Sequence, residues 1–189
     1  MFGTNAAYLF CGAALVAYFS AAAPAAAEVY LTKEQALALV LGAENEQAYE
    51  PKPLDAALHA QLDERGLLGE RKDQAHFFVG RRNGTISGYA LIDSEVGKHL
   101  PITYIIGFTP AGQVSRVEMM VFREVRGWEA RERRFMAQFE GKESSDKLQI
   151  GAGLKNVTGA TLSSRAIAKG VQRGLLLWQH FYGDKSEQR

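Results

Sequence analysis

The hydrophobic pattern begins with an uncharged, apolar stretch over residues 1–27. It contains no Asp, Glu, Lys or Arg, and a mostly apolar block at 6–19 leads into an alanine-rich run that ends at Ala25-Ala26-Ala27. The block is shorter than the roughly 20 residues that a membrane-spanning helix needs. We therefore predict a secretory signal peptide that is cleaved before Glu28, with a retained membrane anchor as the alternative.

Two short segments after this leader show helical spacing. Thr32 and Gln35 form a capping-box pattern, which predicts a helix that ends near the next glycine. Leucines at every fourth position from 54 to 62 predict a second helix through roughly Arg65. The polar segment 43–53 between them contains two prolines, and we predict a loop there.

From Gln74 onward the hydrophobic period becomes that of β-strands. The Asn83-Gly84 pair predicts a hairpin between two apolar runs. A β-rich run over 100–108 is turned back by Pro110-Ala111-Gly112 into a further run over 114–122. The pattern predicts an α+β domain, in which an antiparallel sheet is flanked by N-terminal helices and a C-terminal helix packs on the sheet.

The C-terminal helix has an apolar face at helical spacing. That face consists of Ile167, Val171, Leu175 and Trp178. The opposite face, which we expect to be polar, consists of Arg165, Lys169 and Arg173. Gly170 and Gly174 each cost about 1 kcal/mol of helix propensity relative to alanine. Their expected compensation is close packing of the helix on the sheet.

Composition excludes several classes of function. The chain has 22 basic and 21 acidic side chains and a formal net charge of +1, whereas a nucleic-acid partner would demand a clear basic excess. The one cysteine, Cys11, lies in the predicted leader. The mature chain could therefore hold no disulfide, iron–sulfur cluster or covalent c-type haem. His59 has no second ligand at metal spacing, so we predict a surface or half-buried histidine and no metal site.

One stretch carries candidate chemistry. Gly151-Ala152-Gly153 leads into Thr158-Gly159-Ala160-Thr161, and the final helical pattern starts directly afterwards. Glycine and alanine let the backbone approach a ligand, and the first N–H groups of a helix favour a phosphate. The pattern indicates an anion-binding turn with the hydroxyl of Thr161 at the start of the helix. The alternative is that Thr161 merely serves as the N-cap.

The segment Thr158–Ile167 resembles the motif of the FMN-binding domain family. That family includes the C subunit of the sodium-pumping NADH:quinone oxidoreductase and the G subunit of the Rnf complex. The resemblance implies that an FAD-dependent FMN transferase links FMN to Thr161 through a phosphoester. It also implies that the neighbouring residues bind the cofactor, namely Thr158, Gly159, Ala160, Leu162 and Ser163. Where the family often has Asp six residues before the modified threonine, this chain has Lys155.

A second part of the resemblance covers residues 124–142. The family tends to carry Glu-Thr-Pro-Gly, then a helix, then Gln-Phe-x-Gly-Lys; this chain has Glu124-Val125-Arg126-Gly127 and the segment Gln138–Lys142. The resemblance implies that the first loop lies near the flavin, which makes Glu124 and Gly127 further candidate site residues. Trp128 is expected either to stack on the flavin or to pack in a partly buried position.

We expect four segments: the leader at 1–27, an N-terminal helical segment at 28–74, an FMN-binding domain at 75–182 and a polar tail at 183–189. The predicted leader indicates an exported protein, periplasmic or extracytoplasmic, or membrane-associated if the leader is retained. The resemblance implies a flavoprotein that transfers electrons between membrane or exported partners. Since no nucleophile–histidine–acid set is evident, we expect an electron carrier rather than a stand-alone enzyme. The alternatives are a flavin-free accessory module of a redox complex and a reductase with non-covalent FMN.

Overall fold

The computed structural model describes residues 27–69 and 73–183. Cys11, all but the last residue of the predicted leader and all but the first residue of the predicted polar tail lie outside the described residues. Within the described ranges, no helix combines the length and the apolar character that crossing a membrane requires.

A six-stranded antiparallel sheet forms the centre of the fold. Its strands are β1 (Glu28–Val29), β2 (Glu46–Pro53), β3 (Gln74–Arg82), β4 (Thr85–Val96), β5 (Pro101–Phe108) and β6 (Val114–Phe122). Their order across the sheet is β1-β6-β5-β4-β3-β2. At the β3–β4 hairpin, Asn83 and Gly84 have φ angles of 51° and 79°, as a two-residue turn of the predicted kind requires. The predicted α+β class is confirmed.

Helices cover both faces of this sheet. Helix α1 (Lys33–Leu41) packs on one face against Phe78, Ala90 and Ile105. The other face carries α2 (Ala56–Glu64) and the long α4 (Thr161–Trp178), which continues as a π-helical turn over Gln179–Gly183. Both faces of β5 are therefore buried, which explains why that strand is a continuous apolar run without alternation.

The remaining elements are short and lie between β6 and α4. They are a 3₁₀ turn (Trp128–Arg131), α3 (Arg133–Met136), a second 3₁₀ turn (Ala137–Phe139), β7 (Gln149–Ile150) and β8 (Gly153–Leu154). Phe135 and Phe139 are fully buried and anchor this region on the core, whereas the arginines at 131, 133 and 134 are exposed, as expected for a charged helix surface.

The predicted loop over 43–53 is wrong, because residues 46–53 form strand β2. Pro51 and Pro53 pair with His76 and Gln74 of β3, and β2 is the last strand of the sheet. An edge strand tolerates proline because half of its N–H groups make no ladder bond. The N-terminal segment thus supplies two edge strands as well as the two predicted helices, and the boundary near residue 74 stays a prediction. The capping box of Thr32 and Gln35 is confirmed.

The two glycines of α4 allow the helix to approach the sheet closely. A Cβ atom at Gly170 would lie 1.8 Å from the hydroxyl oxygen of Tyr104, and one at Gly174 would lie 2.6 Å from Cδ1 of Ile106. Neither distance is possible between non-bonded atoms. The predicted packing role of these glycines is confirmed, as is the burial of the predicted apolar face of α4.

Arg173 contradicts the predicted polar face of α4, because it is only 3% exposed. Its Nε and Nη2 atoms donate to Oδ2 of Asp93 at 2.9 and 2.7 Å, and Nη1 donates to Oε2 of Glu95 at 2.5 Å. Further bonds reach the Tyr104 hydroxyl at 3.1 Å and the Leu67 carbonyl at 3.0 Å. Asp93 and Glu95 are two residues apart on β4 and therefore share a face of the sheet.

This network keeps the guanidinium charged. Burial alone would lower the pKa of Arg173, but the neighbouring Tyr104, Asp93 and Glu95 hold it above its ordinary value. Burial also raises the pKa of the Tyr104 hydroxyl well above its usual range, with a contribution from Asp93. Tyr104 thus stays neutral, and the two buried carboxylates have a cation that satisfies them.

We predict that Arg173→Ala lowers the free energy of unfolding by about 3–5 kcal/mol, because it removes the buried guanidinium that both carboxylates share. Lys169→Ala is the matched control: Lys169 lies one turn earlier and contacts the same Glu95 at 3.1 Å, but its side chain is 35% exposed. That change should cost no more than about 1 kcal/mol. Urea unfolding of the two variants checks the difference, and equal losses would contradict the account.

Candidate functional site

Thr161 is the first residue of α4 and does not cap it. The N-cap position belongs to Ala160, whose φ and ψ are −121° and 25°, and no side chain makes a capping hydrogen bond there. The interpretation of Thr161 as a simple N-cap is therefore wrong. Its half-buried hydroxyl oxygen instead accepts a hydrogen bond from Nδ2 of Asn156 at 2.8 Å, the one bond this hydroxyl makes among the described residues.

The turn before Thr161 brings backbone to the surface. Gly159 has a φ of 83°, in the left-handed region, and the N–H of Ala160 donates to the carbonyl of Val157 at 3.1 Å. Thr158 and Gly159 are exposed, whereas Ala160 is buried. The N–H of Ser164 donates back to Ala160 at 2.8 Å, while those of residues 161–163 donate to no carbonyl in the described part of the chain. Unpaired N–H groups of this kind carry the positive end of the helix dipole.

The loop at 124–127 packs directly on this turn through Gly127. Gly127 is buried and has a φ of 97°. A Cβ atom at this position would lie 2.4 Å from Oγ of Ser163 and 3.8 Å from Cα of Ala160. The structure therefore brings together two segments that are more than thirty residues apart in the sequence. The role of Gly127 and Ser163 toward a cofactor stays a prediction.

Glu124 serves a different part of the same region. Its Oε1 accepts from the backbone N–H groups of His99 and Leu100, the latter at 2.9 Å, so its carboxylate holds the β4–β5 turn. Burial alone would raise the pKa of Glu124, but these N–H groups and that of Lys98 hold it below the usual range of a glutamate. The carboxylate is thus engaged in structure, and its predicted role at a flavin remains untested.

Gln138 ties the Gln-Phe-x-Gly-Lys segment to the chain that precedes the motif. Its side-chain oxygen accepts from the N–H of Lys155 at 2.7 Å, and its side-chain nitrogen donates to the carbonyl of Lys155 at 3.2 Å. The same segment is held to the start of β6, because Gly141 donates to the Val114 carbonyl and Val114 donates to the Lys142 carbonyl, both at 2.8 Å. The backbone that precedes Thr161 is therefore held in place by a segment outside the motif.

Three large apolar side chains are exposed on the loop around Gly127 and at the start of α4. Val125 is 77% exposed, Trp128 is 46% exposed and Leu162 is 48% exposed. Val125 and Trp128 flank Gly127, which packs on the motif, and Leu162 follows Thr161. Trp128 is therefore only partly covered and lies outside the core, and its stacking on a flavin stays a prediction. Its indole ring has the guanidinium of Arg131 at 5.9 Å from its centroid.

Glu129 is a neighbour of the motif that the sequence did not reveal. Its Oε1 lies 3.6 Å from the position that a Cβ atom would take at Gly159. Its Oε2 is buried and has no hydrogen-bond partner in the described ranges. Asn156 and Gln138 were missed in the same way, since a contact across a turn or between two loops leaves no periodic signal. Only their position within the motif segments, or for Asn156 directly before one, could have drawn attention to them.

His59 is half-buried on α2, as expected. Over residues 27–69 and 73–183, no three or more histidine, cysteine, aspartate or glutamate side chains are grouped so as to hold a metal ion.

Comparison with known proteins supports the resemblance. Residues 97–176 match the model of the FMN-binding domain family. The fold is similar to that of NqrC from Shewanella oneidensis, with a TM-score of 0.54, 15% sequence identity, and coverage of 78% of this chain and 86% of that one. No curated protein sequence matches the chain. The matched segment contains every candidate site residue, from Glu124 to Ser163.

We predict that Gly127→Ala destabilises the protein by about 1–3 kcal/mol, because it combines a left-handed backbone with overpacking against Ser163. A double-mutant cycle separates the two causes. In a Ser163→Ala background the same substitution should cost less, since the hydroxyl that the new methyl group would strike is gone. Thermal and urea unfolding measure both terms, and an unchanged cost in the double variant would show that Gly127 does not pack on the motif.

Proposed function

Since residues 97–176 match the model of the FMN-binding domain family, we propose that the protein carries FMN covalently, as a phosphoester of Thr161, and acts as an electron carrier. Its place is outside the cytoplasm, between membrane or exported redox partners. The observation that carries the proposal is the hydroxyl of Thr161. It stands at the first residue of α4, is half-exposed, and is not used to cap the helix.

The surroundings of Thr161 fit a phosphate. The N–H groups of residues 161–163 have no carbonyl partner in the described chain, and the first turn of α4 has no acidic side chain. A phosphodiester placed there would gain from the helix dipole, and the carboxylate nearest the preceding turn is that of Glu129 beside Gly159. Gly159 has no side chain, so the backbone beside the phosphate position is accessible.

The next part of the cofactor also finds suitable groups. The ribityl chain carries hydroxyl donors, and the carboxylate of Glu129 is an acceptor whose Oε1 lies beside Gly159, while its buried Oε2 has no hydrogen-bond partner in the described ranges. The isoalloxazine ring is flat and largely apolar, and the exposed Val125, Trp128 and Leu162 could cover part of it. Bound FMN would supply one- and two-electron chemistry, while the chain supplies attachment, orientation and a tuned environment.

The departures from the family pattern lie on the surface. Val125 and Arg126 stand where the family tends to carry Thr and Pro, Lys155 stands where it often carries Asp, and all three are exposed. The packing of Gly127 and the clamp of Gln138 do not depend on them. The changed surface therefore concerns the transferase and the redox partners that meet it, rather than the fold of the site.

Co-expression with an FAD-dependent FMN transferase tests the attachment. We expect the intact mass to rise by one FMN residue and the denatured protein to keep flavin fluorescence on a gel. Thr161→Val keeps the β-branched shape but lacks the hydroxyl, and it should remain unmodified. Thr158→Val is the matched control, three residues earlier on the same turn, and it should still gain the mass.

Two other outcomes correspond to the alternatives. A protein that stays colourless with the transferase present would be a flavin-free accessory module. A yellow protein that loses its colour on denaturation would bind FMN non-covalently and favour a reductase.

The proposed export and cleavage of the leader are tested by N-terminal sequencing. The N-terminal sequence of protein recovered from the cell envelope of its host should begin at Glu28. A chain that begins at Met1 in the cytoplasmic fraction would contradict the proposed location.

A further inference from the structure

We infer that Asn156 is a positioning residue that holds and polarises the hydroxyl of Thr161 for flavin attachment, an inference that rests on the proposed function. The contact is direct: Nδ2 of Asn156 donates to Oγ1 of Thr161 at 2.8 Å. Asn156 is exposed and five residues away from Thr161, so this hydrogen bond closes the motif turn with a side chain. No other described residue contacts the hydroxyl by a hydrogen bond.

The backbone at Asn156 is fixed on both sides. On one side the peptide groups of Lys155 are clamped by Gln138 through bonds of 2.7 and 3.2 Å. On the other side Val157 is only 5% exposed and belongs to the core. Because the backbone is already ordered, only the side-chain rotamers of Asn156 are restricted when it makes this hydrogen bond. This route connects Gln138, through Lys155 and Asn156, to the acceptor oxygen.

The amide suits the chemistry of attachment. The Thr161 oxygen forms a bond to the FMN phosphorus of FAD, the pyrophosphate bond breaks, AMP leaves with the electron pair, and the hydroxyl proton passes to a base of the transferase. Negative charge develops on Oγ1 while the proton leaves. An N–H group already directed at that oxygen stabilises the charge at no cost of reorganisation.

The hydrogen bond of the Asn156 amide does not involve the side chain of Lys155, the residue that departs from the family pattern. The side chain of Lys155 makes no hydrogen bond or ion pair within the described ranges, and only its backbone is engaged. The contact with the acceptor hydroxyl comes from the next residue. Reversing the charge at position 155 therefore leaves that contact intact, and the structure assigns the positioning to Asn156.

The test measures the initial rate of FMN transfer to the purified full chain by purified transferase, with intact mass as the readout. Asn156→Ala removes the donor, and the rate at saturating FAD should fall about tenfold, as expected for one hydrogen bond. The KM for FAD should not change, because the transferase binds FAD. Gln149→Ala alters another exposed amide in the same approach and should behave like the wild type.

Asn156→Asp separates positioning from a merely structural role. Its carboxylate cannot donate, but its protonated form can. The rate of this variant relative to the wild type should rise as the pH falls toward the carboxyl pKa, whereas the relative rate of Asn156→Ala should stay flat. Unfolding temperatures of all variants verify that they fold.

The possible failures are distinguishable. If the wild type itself gains no FMN, both this inference and the proposed function are overturned. If the wild type is modified and Asn156→Ala is modified at the same rate, or if the two relative pH profiles coincide, the role of Asn156 is overturned and the proposed function stands.

Discussion

The buried ion pair between Arg173 and the carboxylates of Asp93 and Glu95 sets the position of α4 on the sheet. Such a pair adds little net stability compared with apolar packing, but removing one partner is costly because it leaves a buried charge uncompensated. Together with the close approach at Gly170, it fixes both the height and the rotation of the helix. The residue at the start of that helix is Thr161, and its hydroxyl is therefore presented at one place.

Three separate contacts then complete the surroundings of that hydroxyl. Gly127 packs on Ser163, Gln138 clamps the backbone of Lys155, and Asn156 reaches the oxygen itself. Gly127, Gln138 and Asn156 lie in the short elements and loops between β6 and α4, and their contacts reach the turn before α4 and the first turn of that helix. All three residues lie outside the sheet and its packed helices. The segments that carry the motif form a surface of exposed N–H groups and apolar side chains. This arrangement suits a cofactor that is attached once and must afterwards meet other proteins.

Most of the fold followed from patterns of one element at a time. The capping box at Thr32, the Asn83-Gly84 hairpin and the apolar face of α4 are local signals, and all three were confirmed. The failures involve partners that are distant in sequence. Strand β2 reads as a loop because an edge strand can be polar and contain prolines. Arg173 reads as a surface residue because its two acidic partners lie some eighty residues earlier, and no helical period can show them.

The features of the candidate site also divide into those that a local sequence pattern predicts and those that need the fold. The motif singled out Thr161 and its neighbours as candidates because it is a local sequence pattern, but the contacts of Asn156, Gln138 and Glu129 required the fold. The most direct test of the account uses protein purified from its native host. Trypsin should release the peptide from Asn156 to Arg165, which contains four hydroxyl residues. Tandem mass spectrometry should find FMN on Thr161 of that peptide; an unmodified peptide, or FMN on another hydroxyl, would contradict the central claim.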